Sequence, residues 1–471
     1  MNRLSALDAS FLEVEDAVSH MHIGSVALFE GPALSYRELR GMIASRLPLV
    51  ERYRQVAQPV AFSIGRPVWV DDAHFDLDYH LRRTALPEPG TESDLCVLVG
   101  RLMSEQLDRA RPLWEMWVVE GLSGGRWALV SKTHHCLVDG VSASDLLTVI
   151  LDREPIPAPE ERDTWRPRRP PTAPELLIRS VAEDLTSPYQ LVQSVRSAQH
   201  RVQHVRDAAR GLLRMSGVLA PTPTTSLNGR VGQHRRWGWS RASLSDIKLI
   251  QRTMGGTVND VVLASISGGF RDLLISRGES TDRVVRSLVP VSVRSPGEHG
   301  VYNNRVSAIF AELPVSVQDP AERLAAISAQ MADLKSAKEA VAGEVLTSLG
   351  GFAPPMLLAL GERLATRVSQ HNVNTVTTNV PGPQHPLYAA GRRMIEAVGY
   401  VPLGGHVRLG VAIFSYDGAL TFGVTGDYDT TSDMGVLCEG IERSLADLIA
   451  LCPAQHEPKA GRTRRRAANA A

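Results

Sequence analysis

RWALVSKTHHCLVDG, residues 126–140, runs from an apolar segment into two adjacent histidines and closes on Asp139-Gly140. The apolar run before it, RPLWEMWVVEGL at 111–122, is separated from it by Ser123-Gly124-Gly125, which predicts a β-hairpin with a glycine turn. After it, VSASDLLTVILD (141–152) offers Ser142 as N-cap and Asp145 three residues on as its capping-box partner, ahead of an apolar face through Leu146, Leu147, Val149 and Ile150. The histidines therefore stand where a strand hands over to a helix, a place where mixed α/β folds put chemistry.

Neighbouring side chains on a strand point to opposite faces, so at most one of His134 and His135 faces a given cavity easily. A neutral imidazole with an ordinary pKa of ~6.5 can take a proton from a hydroxyl or thiol as a bond to an acyl carbon forms. Asp139 could orient that histidine, or pair with an arginine and hold the turn. Cys136, beside the pair, reads as a small buried side chain rather than a nucleophile, because its strand neighbour diverges from it. The same divergence argues against one metal ion held by His134, His135 and Asp139, and no HExxH pattern is present.

The 471 residues exceed what one core usually serves, so two domains are expected. A chain that is 43% hydrophobic and 22% charged is globular rather than disordered. Basic and acidic residues balance at 51 each, which gives no bulk field for nucleic acid. Five of the basic residues lie in the tail beyond 458 (Lys459, Arg462, Arg464, Arg465, Arg466), which leaves a mildly acidic body. Cys96, Cys136, Cys438 and Cys452 form no CxxC pair, and the N-terminal segment carries acids where a signal peptide needs apolar residues. A reducing, cytoplasmic setting follows, with any membrane contact peripheral.

Seven of the twenty residues from Pro155 to Pro174 are proline, which breaks the chain there. Beyond it Val192, Val195, Gln199, Val202, Val205, Ala209 and Leu212 recur at helical spacing among arginines, predicting a basic connector helix. The expected divisions are an N-terminal domain at 1–154, a linker with its helix at 155–228, a C-terminal domain at 229–455 and a basic tail at 456–471. Within the third, helices are predicted from LSDIKLIQRTMG, NDVVLASISGGFRDLLISRG and ERLAAISAQMADLKSAKEAV, and strands from RVVRSLVPVSV, VSAIFAEL, NTVTTNVPG and LTFGVTGDY.

HHxxxDG after an apolar strand resembles the active-site motif of the coenzyme-A-dependent acyltransferase superfamily. Other segments resemble blocks of the bacterial wax ester synthase/acyl-CoA:diacylglycerol acyltransferase family, in family order. They are LSALDASFLEVED with Met21-His22-Ile23-Gly24, Pro112-Leu113-Trp114, SLNGRVGQHRRWGW, the Asn259-Asp260 pair within GGTVNDVVLASISGGFRDLL, SLVPVSVR, NNRVSAIFAELPV and TNVPGP. The similarity covers about residues 3–450.

The resemblance implies two chloramphenicol-acetyltransferase-like α/β domains meeting around a tunnel. His135 is then the general base, with His134 and Asp139 in support. Arg52, Arg54 and Arg294 are the candidate partners of Asp139, and Asn259 is either an oxyanion donor or part of a helix cap. The implied reaction is direct transfer of a long acyl chain from acyl-CoA to diacylglycerol or a fatty alcohol, with acyl-CoA as substrate and no cofactor or metal. A relative that forms another ester or amide from a CoA or carrier-protein thioester is the alternative. Association with a membrane or lipid droplet is an expectation drawn from the substrate class and the basic tail.

Overall fold

The hairpin at 111–134 is the spine of the first of two six-stranded sheets. In the computed structural model, which describes residues 2–61, 65–138, 143–156, 164–176, 225–292, 306–342 and 373–453, its strands are β5 (Trp114–Leu122) and β6 (Arg126–His134). Gly124 turns between them at φ 77°, a left-handed conformation that costs a glycine little. The elements before them are α1 (Ala6–Val14), β1 (His22–Phe29), α2 (Tyr36–Arg46), β2 (Gln55–Gln58), β3 (Val68–Asp71), α3 (Leu77–His80), β4 (Leu81–Ala85) and α4 (Glu92–Met103). After them come α5 (Ala143–Ile150), β7 (Arg235–Ser243), α6 (Leu244–Met254), α7 (Val258–Ser276), β8 (Val285–Ser292), β9 (Val306–Leu313) and α8 (Pro320–Ala342). The chain ends in β10 (Thr375–Pro381), β11 (Tyr388–Ala389), β12 (Arg392–Tyr400), β13 (Leu409–Tyr416), β14 (Ala419–Asp427) and α9 (Met434–Ala450).

The strands and helices expected after residue 229 are all present. Asp139, Ser142, Arg294, the expected connector helix over 192–212 and the tail at 456–471 lie outside the described residues. No described helix is long and apolar enough to cross a membrane.

The first sheet runs β11-β12-β1-β6-β5-β4 and the second β7-β14-β13-β10-β8-β9. Two strands, β11 and β12, depart from the expected division of the chain. β12, from the C-terminal stretch, pairs antiparallel with β1, Val26 opposite Val398 and Ala27 opposite Ala397. Without it β1 would be an open edge with unpaired N–H and C=O groups. β1 itself is buried on both faces: Val26 and Leu28 join one apolar cluster, Ala27 and Phe29 another. A strand of that kind lacks the polar alternation that marks a half-exposed one.

The sheets meet where β12 crosses β14. A Cβ at Gly423 would overlap the Gly399 carbonyl, so the backbones touch with no side chain between them. The proline-rich connector is strapped to the body at 164–176. Arg168 donates to both carboxylate oxygens of Asp71 at 2.9 Å and to Glu51 at 2.6 Å, and Leu176 packs with Val68 and Val70. Those bonds from Arg168 hold the Asp71 carboxyl down at about 2.

The crossing gives a test of sheet packing. Gly423→Ala forces two backbones apart and should cost about 1–3 kcal/mol in urea unfolding. Gly435→Ala, where an added Cβ meets nothing within 4 Å, should be neutral or stabilising by about 0.4–1 kcal/mol. Equal effects at the two positions would contradict this packing.

Candidate active site

His134 and His135 separate because consecutive backbone N–H groups of a strand point to opposite neighbours. His134 N–H donates to the Leu113 carbonyl at 2.9 Å on the β5 side, and His135 N–H to the Met21 carbonyl at 2.8 Å on the β1 side. His134 is the last residue of β6, and His135 opens the 3₁₀ turn that follows, through Val138. The Pro112-Leu113-Trp114 stretch thus has a structural task. Leu113 holds the His134 backbone, while Trp114 lies opposite Thr133, sandwiched between Tyr53 and His80 with ring centroids 4.4 Å away on each side. Its Nε1 donates to the Tyr53 carbonyl at 2.8 Å, and the Tyr53 hydroxyl lies 3.3 Å from Thr133 Oγ1.

The His134 ring is fully buried. Its Nδ1 accepts the Cys136 N–H at 3.2 Å, which places the ring proton on Nε2, 3.7 Å from Glu15 Oε1. Burial pushes His134 down to about 4 against the pull of that carboxylate, so the ring is neutral at pH 7. Burial on its own would raise Glu15. Arg109, donating at 2.9 Å through Nε and 2.6 Å through Nη2, keeps it below its ordinary value and ionised. Arg109 also donates to the Leu12 carbonyl at 2.8 Å, clamping the end of α1.

His135 stands differently. Its ring stacks on Phe11 of α1 with centroids 3.9 Å apart and planes 21° from parallel. Its Nδ1 is buried without a hydrogen-bond partner among the described residues, and Nε2 makes no hydrogen bond there. Burial lowers its pKa, with its own backbone carbonyl pulling the other way. Nε2, with no partner among the described residues, is therefore the nitrogen left to accept a proton. Phe11 and Glu15, four residues apart at the end of α1, reach the two histidines separately. Neither was singled out in the sequence; their i, i+4 spacing in LSALDASFLEVED is the one signal that could have found them.

Cys136 is fully buried, and burial pushes its thiol well above the ordinary range, so it is protonated at neutral pH. Asn259 is the second residue of α7, whose N-cap is Thr257 and whose capping box is closed by Asp260. Asp260 is thus a helix-capping residue. Asn259 Oδ1 instead accepts from Asn379 Nδ2 of β10 at 3.3 Å, which brings together the Asn259-Asp260 and TNVPGP segments. No hydrogen bond among the described residues joins Asn259 to His135.

Neutral buried histidines make the fold acid-labile. His80 and His134 lie at about 4, and His22, which donates to the Met103 carbonyl at 3.0 Å, lies well below 6.5, each lowered chiefly by burial. Between pH 6.5 and about 4 the unfolded chain binds protons that the folded chain does not. Stability should therefore fall as pH drops through that window, by about 1.4 kcal/mol per pH unit per histidine. Urea unfolding at pH 7 and pH 5 measures it; a flat response would contradict the buried, neutral assignment.

Known proteins resemble this chain along most of its length. Residues 4–262 match the wax ester synthase/diacylglycerol acyltransferase catalytic domain and residues 302–449 the C-terminal domain of the same family. The chain is 36% identical over 469 residues to a probable diacylglycerol O-acyltransferase, tgs1, of Mycobacterium tuberculosis, with 96% of each chain covered. It is 34% identical to a second from that organism, tgs2, over 95% of this chain and 99% of the other. The wax ester synthase/diacylglycerol acyltransferase from Marinobacter aquaeolei superposes with a TM-score of 0.65 at 27% identity, covering 95% of this chain and 98% of that one. The first condensation domain of a calcium-dependent antibiotic synthetase shares the fold, with a TM-score of 0.58 at 16% identity over 96% of this chain and 97% of that one. With both domain models matched in order along one chain, the protein belongs to the wax ester synthase/diacylglycerol acyltransferase family.

Proposed function

We propose that the protein transfers a long-chain acyl group from acyl-CoA to diacylglycerol, forming triacylglycerol, with long-chain alcohols as second acceptors that yield wax esters. The observation that carries the chemistry is the His135 ring, stacked on Phe11 and with no hydrogen bond to either of its nitrogens from a described side chain. His135 Nε2 takes the proton of the acceptor hydroxyl as its oxygen attacks the thioester carbonyl. The tetrahedral intermediate then expels the CoA thiolate, which receives the same proton. One C–O bond forms, one C–S bond breaks and no acyl-enzyme intervenes. No bound cofactor or metal enters the scheme.

Asn259 is our candidate for the oxyanion donor: with its Oδ1 engaged by Asn379, its NH₂ group is the part left to donate. Asp139 we assign to support of the histidines, with an arginine as its partner. Arg54 is a candidate, 2% exposed and 4.9 Å from the Trp165 ring. We place acyl-CoA and the acceptor in a passage between the two sheets, entered from opposite ends. Apolar walls there would gain roughly 0.8 kcal/mol per buried CH₂. Contact with a membrane or lipid droplet belongs to the same reading, since the acceptor resides there.

Purified protein given palmitoyl-CoA and dioleoylglycerol should release one thiol per triacylglycerol formed, and hexadecanol should yield a wax ester. Transfer confined to a carrier-protein thioester would overturn the proposal. Cys136→Ala should keep at least about half the rate; its inactivity, with an acyl group trapped on Cys136 of the unaltered enzyme, would replace direct transfer by a covalent route.

A further inference from the structure

General bases of this type become cations during turnover, and a buried imidazolium needs something to offset its charge. In a serine-hydrolase triad that group is a carboxylate on Nδ1. No side chain among the described residues hydrogen-bonds to His135 Nδ1. What the ring does have is Phe11, nearly parallel at 3.9 Å, covering one face. The negative face of a benzene ring attracts a cation over it, the more so when water is excluded. We propose that Phe11 is a positioning residue for the acyl transfer: it fixes the plane of the His135 ring and stabilises the imidazolium in the role a carboxylate plays elsewhere. The inference rests on His135 being the base.

The way α1 is built supports this. Its N-terminus is capped by Ser5, which accepts the Asp8 N–H at 3.0 Å, and its other end is held by Arg109 on the Leu12 carbonyl and on Glu15. A ring carried on a helix pinned at both ends keeps its plane. The titratable and charged groups packed around the stack are Asp8 and Glu15 from α1, His134 and Cys136 on either side of His135, and Arg109. Glu15 and Arg109 act on His134, while Asp8, Glu15 and Arg109 act on the Cys136 thiol. None of these groups hydrogen-bonds to the His135 ring, and the π face of Phe11 lies directly against it, with the ring's own backbone carbonyl as a second source of negative potential.

In this scheme the proton leaves the acceptor hydroxyl for Nε2, Nδ1 keeps its own proton, and the cation lasts until Nε2 protonates the departing thiolate. Removing the π face weakens the cation and not the neutral ring. It should lower kcat while leaving substrate binding alone, and it should shift the protonation of His135 to lower pH.

The test is steady-state kinetics of full-length Phe11→Leu and Phe11→Tyr with palmitoyl-CoA and dioleoylglycerol between pH 5.5 and 9, beside thermal unfolding of each. Phe11→Leu should lose about 5- to 30-fold in kcat with KM for both substrates within about twofold, and the acid limb of kcat/KM should move down by about half a unit to one unit. Phe11→Tyr, which keeps the ring face, should recover most of the loss. An unchanged kcat and limb in Phe11→Leu would overturn the proposal, as would a Tyr variant as impaired as the Leu variant, or losses that simply track the unfolding temperature. Should Phe11→Leu fail to fold, Phe11→Trp carries the test: its stronger π face should move the limb to higher pH, and an unmoved limb overturns the idea. Failure of the underlying reading looks different, since His135→Ala would then stay active whatever stands at residue 11.

Discussion

The hydrogen bond from His135 N–H to the Met21 carbonyl extends the β1–β6 ladder one step beyond the strand, and the site is built around it. Because β6 sits between β1 and β5, its last two N–H groups must be satisfied on opposite sides. One reaches Leu113 and the other Met21. This alternation turns two adjacent histidines into residues with separate surroundings. It also draws the chain before β1 back across the motif, so α1 lands with Phe11 on one imidazole and Glu15 near the other.

Those surroundings set the chemistry each ring can do. His134 is fixed in one tautomer by the Cys136 N–H and faces an ionised carboxylate, with no open nitrogen left for a substrate. His135 has the Phe11 ring against one face and a buried Nδ1 without a partner among the described residues. A neutral, desolvated imidazole is suited to removing a proton from an alcohol whose long chains exclude water from the same space. The protonated Cys136 thiol is a poor nucleophile under these conditions, which favours direct transfer over a covalent relay.

Much of this was legible in the sequence. The hairpin before the histidines, the helix after them and the helices and strands beyond residue 229 were marked by local periodicity and turn residues. β1 was not, because both its faces are buried and its residues do not alternate. β12 pairs with β1, Val398 opposite Val26, a partner far away in the chain that local pattern does not encode. Asn259 could be read as a cap or as a donor; the structure gives the capping task to Thr257 and Asp260 and ties Asn259 to Asn379. Phe11 and Glu15 read as ordinary helical residues, since their partners are brought to them only by strand pairing.

The most direct measurement is single-turnover thiol release from palmitoyl-CoA in the presence of dioleoylglycerol by His135→Ala, its fold verified by near-ultraviolet circular dichroism. The account predicts a loss of at least about 10²- to 10⁴-fold relative to the unaltered protein. A folded His135→Ala protein that forms triacylglycerol at an undiminished rate would contradict it.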